Sequence, residues 1–581
     1  MSRANSREMV LKLSSRANRC QCSAAAERLS GIIAAQRFLD AHPKANLAIL
    51  EKDGDIGGVF SRRRLYDSFW TQWSHGLSEF SDLPMARPPE ADCYHDFYRA
   101  KYTTDYLHEY CGRKDGRGRT LRDRMIFNVN IDSVKKVDGL WNVCSGGRTF
   151  TAPKVLIASG LCSLAKMPSL PGKDRFGGAI VHTEDFGETN IMAAPNITKL
   201  VVLGAGKSAA DVVYEGAKSG KEVHWVIKTT GTGPSFFASG KGKGPFKNAF
   251  EAAHTRFVAT LGPSIFNRVN IWTKFVQRNW LGRWLVGKLL AQQDQAIRME
   301  ADYQGRDNAK GFDQLEYETP FFWQNGPGGL IHHDDFWETI SSCVHIQRDQ
   351  VRSLDRNLVQ LEGGAELACD AIICGTGWIP SLRFFDNEQL LQLGLPMPLE
   401  DEPSEVADRW ESLLQDGDRH ICSRFPLLAN PPKHSHRGVS TTTYRLYHGM
   451  APINDDSILF MNHLNTGNKM LAAEVQAMWA VAYFDKQITL PSREDMERSV
   501  ATWVAFSRRR YLSNGGLGNA INFETITYAD ALLDDMGLAA HKKSWWQQWF
   551  EPFRPSDLGK AWAEYLQKHP PGQSSIEDAG S

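Results

Sequence analysis

The sequence lacks the features that mark several classes of protein. It has no net charge, because 67 basic residues balance 67 acidic ones, so its charge does not indicate binding to nucleic acid or another acidic polymer. No uninterrupted apolar run approaches the roughly 18–20 residues that cross a membrane as a helix. The ten cysteines are scattered without metal-like pairs, which fits a reducing compartment better than a disulfide framework. With 42% hydrophobic and 23% charged residues, the composition is typical of a soluble globular protein.

Residues 199–231 carry the clearest motif. An apolar run, Leu200–Leu203, leads into Gly204-Ala205-Gly206-Lys207-Ser208-Ala209, a helical stretch and a second apolar run, Val223–Ile227. This order predicts a strand–turn–helix–strand unit that binds a dinucleotide. Gly204 would permit the sharp exit from the strand, and Gly206 would let a pyrophosphate approach free N–H groups at the positive end of the helix. A purely structural turn is the alternative.

Lys228 follows the second of these strands directly. A site for NAD usually has an acidic residue here that holds the ribose 2′-hydroxyl group, whereas a lysine can pair with the 2′-phosphate group of NADP. The sequence therefore favours NADP over NAD, unless Lys228 is an ordinary surface lysine.

An incomplete second dinucleotide unit lies near the start of the chain. Residues 23–40 are predicted to form a helix and Leu47–Leu50 a strand. Glu51 comes twenty residues after Gly31, which is about the interval at which an acid holds the adenosine ribose. The helix and the second strand of the unit are therefore present.

The first strand and two glycines of this unit are missing. When Gly31 is aligned with the last glycine of G-x-G-x-x-G, Ala26 and Arg28 occupy the first two glycine positions. Met9–Leu13 is apolar enough for a strand, but it lies too far upstream to lead directly into this turn. A wrongly defined N-terminus would also explain the defect.

The remaining segments define the predicted domains. Runs within 124–158 predict a β-meander, and 351–374 predicts strands that end at Gly375-Thr376-Gly377. The predicted architecture is α/β, with two Rossmann-like dinucleotide-binding domains, the first of them discontinuous, a helical insert and a helical C-terminal extension. The predicted boundaries are a tail at 1–22, the first domain at 23–165 and 366–485, the second at 166–365 with its insert at about 235–320, and the extension at 486–581.

Residues 264–290 are predicted to form one basic amphipathic helix, with Trp272, Trp280 and Trp284 near one face. Packing against its own domain is the plainer interpretation of this helix. A substrate lid or contact with a membrane surface is the alternative.

Several motifs together resemble those of the flavin-containing monooxygenases, in particular the fungal branch associated with secondary metabolism. The matches are F-x-G-x-x-x-H-x-x-x-Y/F at Phe176, Gly178, His182 and Phe186, G-x-G-x-S at Gly204, Gly206 and Ser208, GG-x-W at Gly57-Gly58 with Phe60 for Trp, and ATG-Y at Gly375-Thr376-Gly377-Trp378. The resemblance runs from about residue 29 to 485, and the order and spacing of the motifs make it specific.

The resemblance implies that the chain binds FAD and NADPH, and it assigns residues to them. The implied cofactor-binding residues are Gly31, Glu51, Gly57 and Gly58 for FAD, Gly204, Gly206, Ser208 and Lys228 for NADPH, and Gly375, Thr376 and Gly377 near the end of the flavin domain. Many members have an Asn near the reactive edge of the flavin, and here its role falls to Ser81 or Asp82. Asp82 as an ordinary loop acid is the alternative.

Two histidine motifs receive structural interpretations. His182 is expected to form a hydrogen bond that links the two domains rather than to exchange protons with the substrate. His332-His333-Asp334-Asp335 resembles a metal site, but adjacent residues seldom converge on one ion, so a loop or a helix cap is favoured. No residue is assigned to a metal.

The resemblance also implies a reaction. NADPH would reduce the flavin, which would take up O₂ as a C4a-(hydro)peroxide and oxidise a small organic substrate. A polyketide-like metabolite is the favoured substrate, with epoxidation, hydroxylation or Baeyer–Villiger insertion as the step. The enzyme is expected in the cytoplasm, and mitochondrial targeting by the Arg- and Ser-rich N-terminus is the alternative.

Two rival functions follow from the same motifs. A flavin disulfide reductase needs a close cysteine pair, but Cys369 and Cys374 are predicted on one strand about 16 Å apart, beyond the ~7 Å that a disulfide allows. We exclude that rival. The second is a catalytically silent NADP-binding protein that has lost productive FAD binding, and Ala26 and Arg28 are the reason to consider it.

Overall fold

The computed structural model describes residues 22–25 (backbone only), 29–323, 326, 328–434, 438–538 and 544–571. The helices, in chain order, are α1 (Leu29–Ala41), α2 (Lys101–Gly112), α3 (Lys207–Lys218), α4 (Ala249–Ala253), α5 (Arg256–Leu261), α6 (Ile271–Arg278), α7 (Trp280–Ala301), α8 (Phe336–Cys343), α9 (Asn387–Leu393), α10 (Ser404–Arg424), α11 (Lys469–Phe484), α12 (Arg493–Arg510), α13 (Thr525–Asp535), α14 (Trp545–Phe550) and α15 (Pro555–Lys568).

The strands that position the site belong to two parallel sheets and to the connections between them. They are β1 (Cys22–Ala25), β2 (Leu47–Leu50), β3 (Trp70–Ser74), β4 (Met125–Ile126), β5 (Lys154–Ile157), β6 (Leu164–Ala165), β7 (Ala179–His182), β8 (Lys199–Leu203), β9 (Glu222–Ile227), β10 (Phe237–Ser239), β11 (Gly329–Ile331), β12 (Val344–Arg348), β13 (Ala371–Cys374), β14 (Trp378–Ile379) and β15 (Ile458–Phe460).

The first sheet has the strand order β15-β5-β1-β2-β4, and all of its pairs are parallel. The chain leaves β1 for β2 on one side and later reaches β5 on the other, so the strand order reverses beside β1. In open parallel sheets, a ligand binds in the crevice at the carboxyl ends of the strands at such a reversal. Because β15 returns from residues 458–460, this dinucleotide-binding domain is discontinuous, as predicted.

The prediction that the first strand is missing is wrong. β1 pairs with β2 and with β5, directly upstream of α1, which begins at Leu29 rather than at residue 23. Alanines favour a helix locally, but pairing with strands on both sides overrides that weak preference. Met9–Leu13, and all of the predicted tail except Cys22, lie outside the described residues.

The second sheet has the order β7-β13-β8-β9-β12 and is also parallel throughout. Its centre is the predicted unit, in which β8, α3 and β9 follow one another. β13 lies between β7 and β8, so the predicted boundary at 366 is wrong in assigning this strand to the first domain. A buried apolar strand does not show in sequence which sheet it will join.

Two short strands tie the connections between the sheets together. β6 and β14 pair in antiparallel fashion, with Leu164 opposite Ile379 and Ala165 opposite Trp378. The Lys166 N–H group donates to the Gly377 carbonyl at 2.9 Å, and the Thr376 hydroxyl donates to the Lys166 carbonyl at 2.6 Å. Both chain crossings therefore run side by side, as one connection.

The segment predicted as a β-meander divides between two sheets. The strands Ser133–Val137, Leu140–Ser145 and Arg148–Ala152 form a small antiparallel sheet. The last predicted meander strand instead becomes β5 of the first sheet.

A helical insert, α4–α7, leaves the second domain between β10 and β11, which pair with each other. The prediction of one helix over 264–290 is wrong, because the Asn279 side chain accepts the Leu281 N–H group at 2.9 Å and starts a new helix. A Cβ atom on Gly282 would lie 2.7 Å from the Phe275 carbonyl carbon, so glycine lets α7 fold back closely against α6. The two helices form a hairpin.

The C-terminal helices enclose the first sheet. α11 is buried almost throughout and packs against α1, while α10 packs against α12. Trp562 of α15 donates its indole N–H group to Asp40 at 2.9 Å, which places α15 over the end of α1. Across the described ranges, no helix is both long and apolar enough to cross a membrane.

Candidate active site

The second dinucleotide turn requires glycine at its first position. Gly204 has φ of 119°, and its N–H group donates to the Val226 carbonyl at 3.1 Å. A Cβ atom there would lie 2.8 Å from the carbonyl carbon of Gly375 and closer still to its oxygen. Gly206 then caps α3 with extended backbone, so the first turn of that helix follows the turn directly. This geometry suits a phosphate at the helix N-terminus.

The turn packs against the segment that follows β13, which consists of Gly375, Thr376 and Gly377. A Cβ atom on Gly375 would lie 2.7 Å from the Cβ atom of Ala209, and the Gly375 N–H group donates to the Leu203 carbonyl at 2.8 Å. The Thr376 hydroxyl and the Gly377 carbonyl take part in the connection between the sheets. Their contacts therefore explain packing and linkage, and they do not support the prediction that these three residues bind a cofactor directly.

Ser208 and Lys228 flank the same turn. Ser208 is the second residue of α3, which begins at Lys207. Lys228 is exposed at the carboxyl end of β9, and among the described residues no carboxylate pairs with it. Lys207 pairs with Asp211 within α3, where burial raises the pKa of Asp211 to about 6 against the opposing effect of Lys207.

The predicted FAD residues follow β1 and β2 of the first sheet. Glu51 is buried at the carboxyl end of β2, and its Oε1 atom accepts the Asp53 N–H group at 2.8 Å. Gly31 is buried in the first turn of α1. Gly57 and Gly58 have φ of 113° and 57°, and a Cβ atom on Gly57 would lie 3.0 Å from the Phe60 carbonyl.

Several buried polar atoms of β3 and of the segments that follow β2 and β15 have no hydrogen-bond partner among the described residues. They are Ser61 Oγ, Arg64 Nε and Nη1, Trp73 Nε1, Asn462 Oδ1 and Thr466 Oγ1. A buried donor or acceptor without a partner costs roughly 1–3 kcal/mol, so such atoms usually face a ligand or water. Asn462 and Thr466 follow β15, while Ser61 and Arg64 follow the Gly57-Gly58 turn. The residues present therefore fit a large polar cofactor such as FAD.

His182 fixes the connection beside the second sheet, and Arg64 joins the two domains. The Nε2–H group of His182 donates to the Gly377 carbonyl at 3.0 Å, and its Nδ1 atom accepts the Glu184 N–H group at 3.1 Å. Burial lowers the pKa of His182, so the ring is neutral. Arg64 pairs with Glu184 at 2.7 Å and with Asp53 at 3.4 Å. These contacts give His182 a structural role of the kind predicted.

Ser81 and Asp82 lie in an ion cluster beneath α15 rather than at the crevice. Arg37 of α1 is 2% exposed and donates to Ser81 Oγ at 3.1 Å and to Asp82 Oδ1 at 3.0 Å. The same guanidinium pairs with buried Glu474 of α11 at 2.5 Å, and Arg113 pairs with Asp82 at 2.6 Å. Burial alone would raise the pKa of Asp82, but Arg37 and Arg113 outweigh it and hold this pKa below its usual value. These contacts join α1, α11 and the loop, so they favour a structural role for Ser81 and Asp82 over the predicted catalytic one.

Gln72 is the polar residue that the sequence reasoning missed. It lies on β3, and its Oε1 atom accepts the Leu330 N–H group at 2.7 Å, where the first domain meets β11. A Cβ atom on Gly329 would lie 3.1 Å from both Gln72 Oε1 and Lys207 Cδ, so Gln72 stands close to the second turn. The resemblance predicts this amide further downstream, nearer Ser81, whereas the side-chain amide beside the second turn is that of Gln72.

The segment His332–Asp335 packs against the same region. The ring of His332 stacks on Trp70 and that of His333 on Tyr214, with centroids 5.8 Å and 4.4 Å apart. Burial, together with Lys207, lowers the pKa of His333 to about 4. Asp335 precedes α8 and accepts the Tyr214 hydroxyl at 2.7 Å. Among the described residues, no group of three or more side chains is arranged to hold a metal.

Comparison with known proteins identifies the family. The chain is 31% identical over 540 residues to the FAD-dependent monooxygenase resA of Aspergillus sclerotiorum, covering 88% of this chain and 92% of that protein. It is 30% identical over 553 residues to the FAD-dependent monooxygenase DEP4 of Alternaria brassicicola, covering 92% and 93%. The chain belongs to the FAD-dependent monooxygenases. The predicted family, enzyme class and cofactors, FAD and NADPH, are thereby confirmed.

Two further comparisons support the fold of this FAD-dependent monooxygenase. A family model described as pyridine nucleotide-disulphide oxidoreductase matches residues 31–238. The crystal structure of cyclohexanone monooxygenase from Rhodococcus bound to NADP⁺ matches with a TM-score of 0.56 at 15% identity, covering 89% of this chain and 97% of that one. The excluded disulfide reductase gains no support, because Cys369 and Cys374 are both free and buried.

Substitution of the ion-cluster residues distinguishes a structural from a catalytic role for Ser81 and Asp82. We expect Ser81→Ala and Asp82→Asn to leave kcat within about twofold, because neither side chain reaches the crevice, and to lower the thermal midpoint. Since the pKa of folded Asp82 is depressed, its stabilisation is present above about pH 4 and is lost as the pH falls through the folded pKa. The difference in midpoint should therefore shrink in acid.

Asp416→Asn is the matched control, because the only ion pair of Asp416 with another described residue is the one with exposed Arg419. It should not move the midpoint. A fall in kcat of about a hundredfold in Asp82→Asn with an unchanged midpoint would restore the catalytic role.

Proposed function

We propose that this monooxygenase uses NADPH and O₂ to insert one oxygen atom into a small organic substrate, a polyketide-like intermediate of secondary metabolism. The step is an epoxidation, a hydroxylation or a Baeyer–Villiger insertion. One observation carries the proposal: two candidate cofactor sites lie at strand ends on either side of the β6–β14 connection. The first has buried polar atoms without partners among the described residues, and the second has a glycine turn. The fungal relatives, which are FAD-dependent monooxygenases, support the oxygenation chemistry of the proposal.

The first crevice is proposed to hold FAD. Bound FAD supplies the redox chemistry, since it accepts electrons from NADPH and passes them to O₂. The N-terminus of α1 at Gly31 would face the pyrophosphate, and Glu51 would hold the adenosine ribose. Gly57 and Gly58 let the backbone turn beside the cofactor, where a Cβ atom on Gly57 would crowd Phe60.

The second turn is proposed to hold NADPH. Gly204 and Gly206 would admit its pyrophosphate to the N-terminus of α3, beside the Ser208 hydroxyl, and Lys228 would pair with its 2′-phosphate group. Gln72 and Lys207 lie between this turn and the first domain, so they would contact the reacting ends of the cofactors. Neutral His182 would hold the connection rather than exchange protons.

A product analysis tests the proposed function. Purified protein loaded with FAD, given NADPH and an extract of cells lacking the gene, should consume one metabolite and form another that is one oxygen atom heavier. Isotopically labelled O₂ should mark the added atom. A protein that stays colourless with added FAD and oxidises no NADPH would contradict the proposal and support the silent NADP-binding alternative.

The preference for NADPH depends on Lys228. Reversal of its charge in Lys228→Glu should raise KM for NADPH at least about tenfold, because a charge-assisted contact with phosphate is worth about 1.5–3 kcal/mol. KM for NADH and kcat should change little, since NADH has no 2′-phosphate group. Steady-state kinetics with both coenzymes measure this.

Lys173→Glu reverses the charge of another exposed lysine of the same domain and serves as the control. Its KM for NADPH should match that of the natural protein. An equal change of KM for both coenzymes in Lys228→Glu would show that Lys228 does not contact the phosphate.

A further inference from the structure

The α6–α7 hairpin exposes large apolar side chains. Ile271 is 91% exposed, Trp280 71% and Trp284 50%. Leu281, Leu285 and Leu289 are exposed as well and recur every four residues along α7, so they share one face of that helix. We call these six residues the hairpin surface. Gly282 and Val286 are buried, so the side of α7 on which they lie already packs against the protein.

The same apolar region continues onto α14. Trp272 of α6 lies 6.4 Å from Trp549 between ring centroids, and Phe257 of α5 lies 5.2 Å from Phe550. These contacts seat α14 beside the hairpin, while its Trp545 and Trp546 remain 68% and 63% exposed. Large contiguous apolar patches are uncommon on monomeric proteins and mark interaction sites.

The charge of this segment is one-sided, although the whole chain is neutral. Residues 252–293 contain no Asp or Glu. Lys274, Arg278, Arg283 and Lys288 are all exposed, and within the described ranges none of the four forms an ion pair with a carboxylate. The surface therefore combines tryptophan and leucine side chains with unneutralised cations.

Neither the N-terminal segment of this chain nor a second copy of the chain is a good partner for the hairpin surface. The first 21 residues carry five basic residues and one acidic residue, so they have the same charge as the hairpin. A second copy that used the same face would bring the four cations against four others, because the two sides of a twofold interface are identical. Charge thus favours an anionic partner with an apolar interior.

We propose that the hairpin surface docks this enzyme onto an anionic lipid bilayer. Helices that lie in a bilayer interface combine bulky apolar side chains on one face with Lys and Arg residues that pair with lipid phosphates. Tryptophan suits the same depth, since its ring is apolar and its N–H group is polar. The contact is superficial, because none of the described helices, α6 and α7 included, is both long and apolar enough to cross.

Docking through the hairpin surface would place the region around Gln72 and the second turn near the lipid. The insert begins after β10 and ends before β11, and these two strands pair with each other. Leu330 of β11 contacts Gln72 beside the second turn. An apolar substrate dissolved in the bilayer would therefore enter close to the reacting ends of the cofactors. This consequence rests on the proposed function, whereas the docking itself does not.

Vesicle flotation of the full-length FAD-loaded protein tests the proposal. Vesicles of phosphatidylcholine and phosphatidylserine in equal parts should bind at least about tenfold more protein than phosphatidylcholine alone, and high salt should weaken binding. The double variants Trp280→Ser/Trp284→Ser and Arg283→Glu/Lys288→Glu should each reduce binding at least about tenfold. Thermal midpoints confirm that each variant is folded.

Two matched controls change similar exposed side chains elsewhere. Leu140→Ser/Leu399→Ser removes two exposed leucines, and Lys44→Glu/Lys173→Glu reverses two exposed lysines, so both should bind like the natural protein. Absence of binding to anionic vesicles, or equal binding by the hairpin variants, would overturn the proposal. So would a concentration-dependent dimer that Trp280→Ser/Trp284→Ser abolishes, because the surface would then join two copies.

Discussion

The close approach of Gly204 to Gly375 is the constraint on which the rest of the structure depends. Neither residue has room for a Cβ atom, because Gly204 lies against the Gly375 backbone and Gly375 lies against Ala209. This contact sets the second turn at the end of β13, immediately before the chain crosses to the first domain. The β6–β14 pairing then fixes both crossings in one connection, and His182 and Arg64 hold the domains on either side of it.

The first crevice shows how a site can persist when its sequence motif is incomplete. The sequence has Ala26 and Arg28 where two glycines are usual, yet β1 still precedes α1 and pairs in the centre of the first sheet. A helix N-terminus binds phosphate through its N–H groups and dipole, which belong to the backbone and not to a particular residue type. The partnerless buried atoms of Ser61, Arg64 and Asn462 are consistent with a polar cofactor in this crevice.

Features encoded by neighbouring residues were predictable from the sequence. The unit around Gly204, the strand that ends at Glu51 and the family itself followed from local patterns of apolar residues and glycines. Features set by distant partners were not. β1 is a strand because it pairs with residues 47–50 and 154–157, and Ser81 is structural because Arg37 and Glu474, 437 residues apart, meet beside it. The end of α6 and the start of α7 at Asn279 are encoded locally, by an asparagine that caps α7. The amphipathic pattern that runs through both helices nevertheless predicts one continuous helix.

Anaerobic reduction measures most directly whether the two crevices act as one site. The protein loaded with FAD should lose the visible absorbance of its oxidised flavin when NADPH is added without O₂, and should regain it when O₂ is admitted. That result requires both cofactors to be bound with their reacting ends together. Flavin that stays oxidised under NADPH, or protein that retains no flavin, would contradict the account.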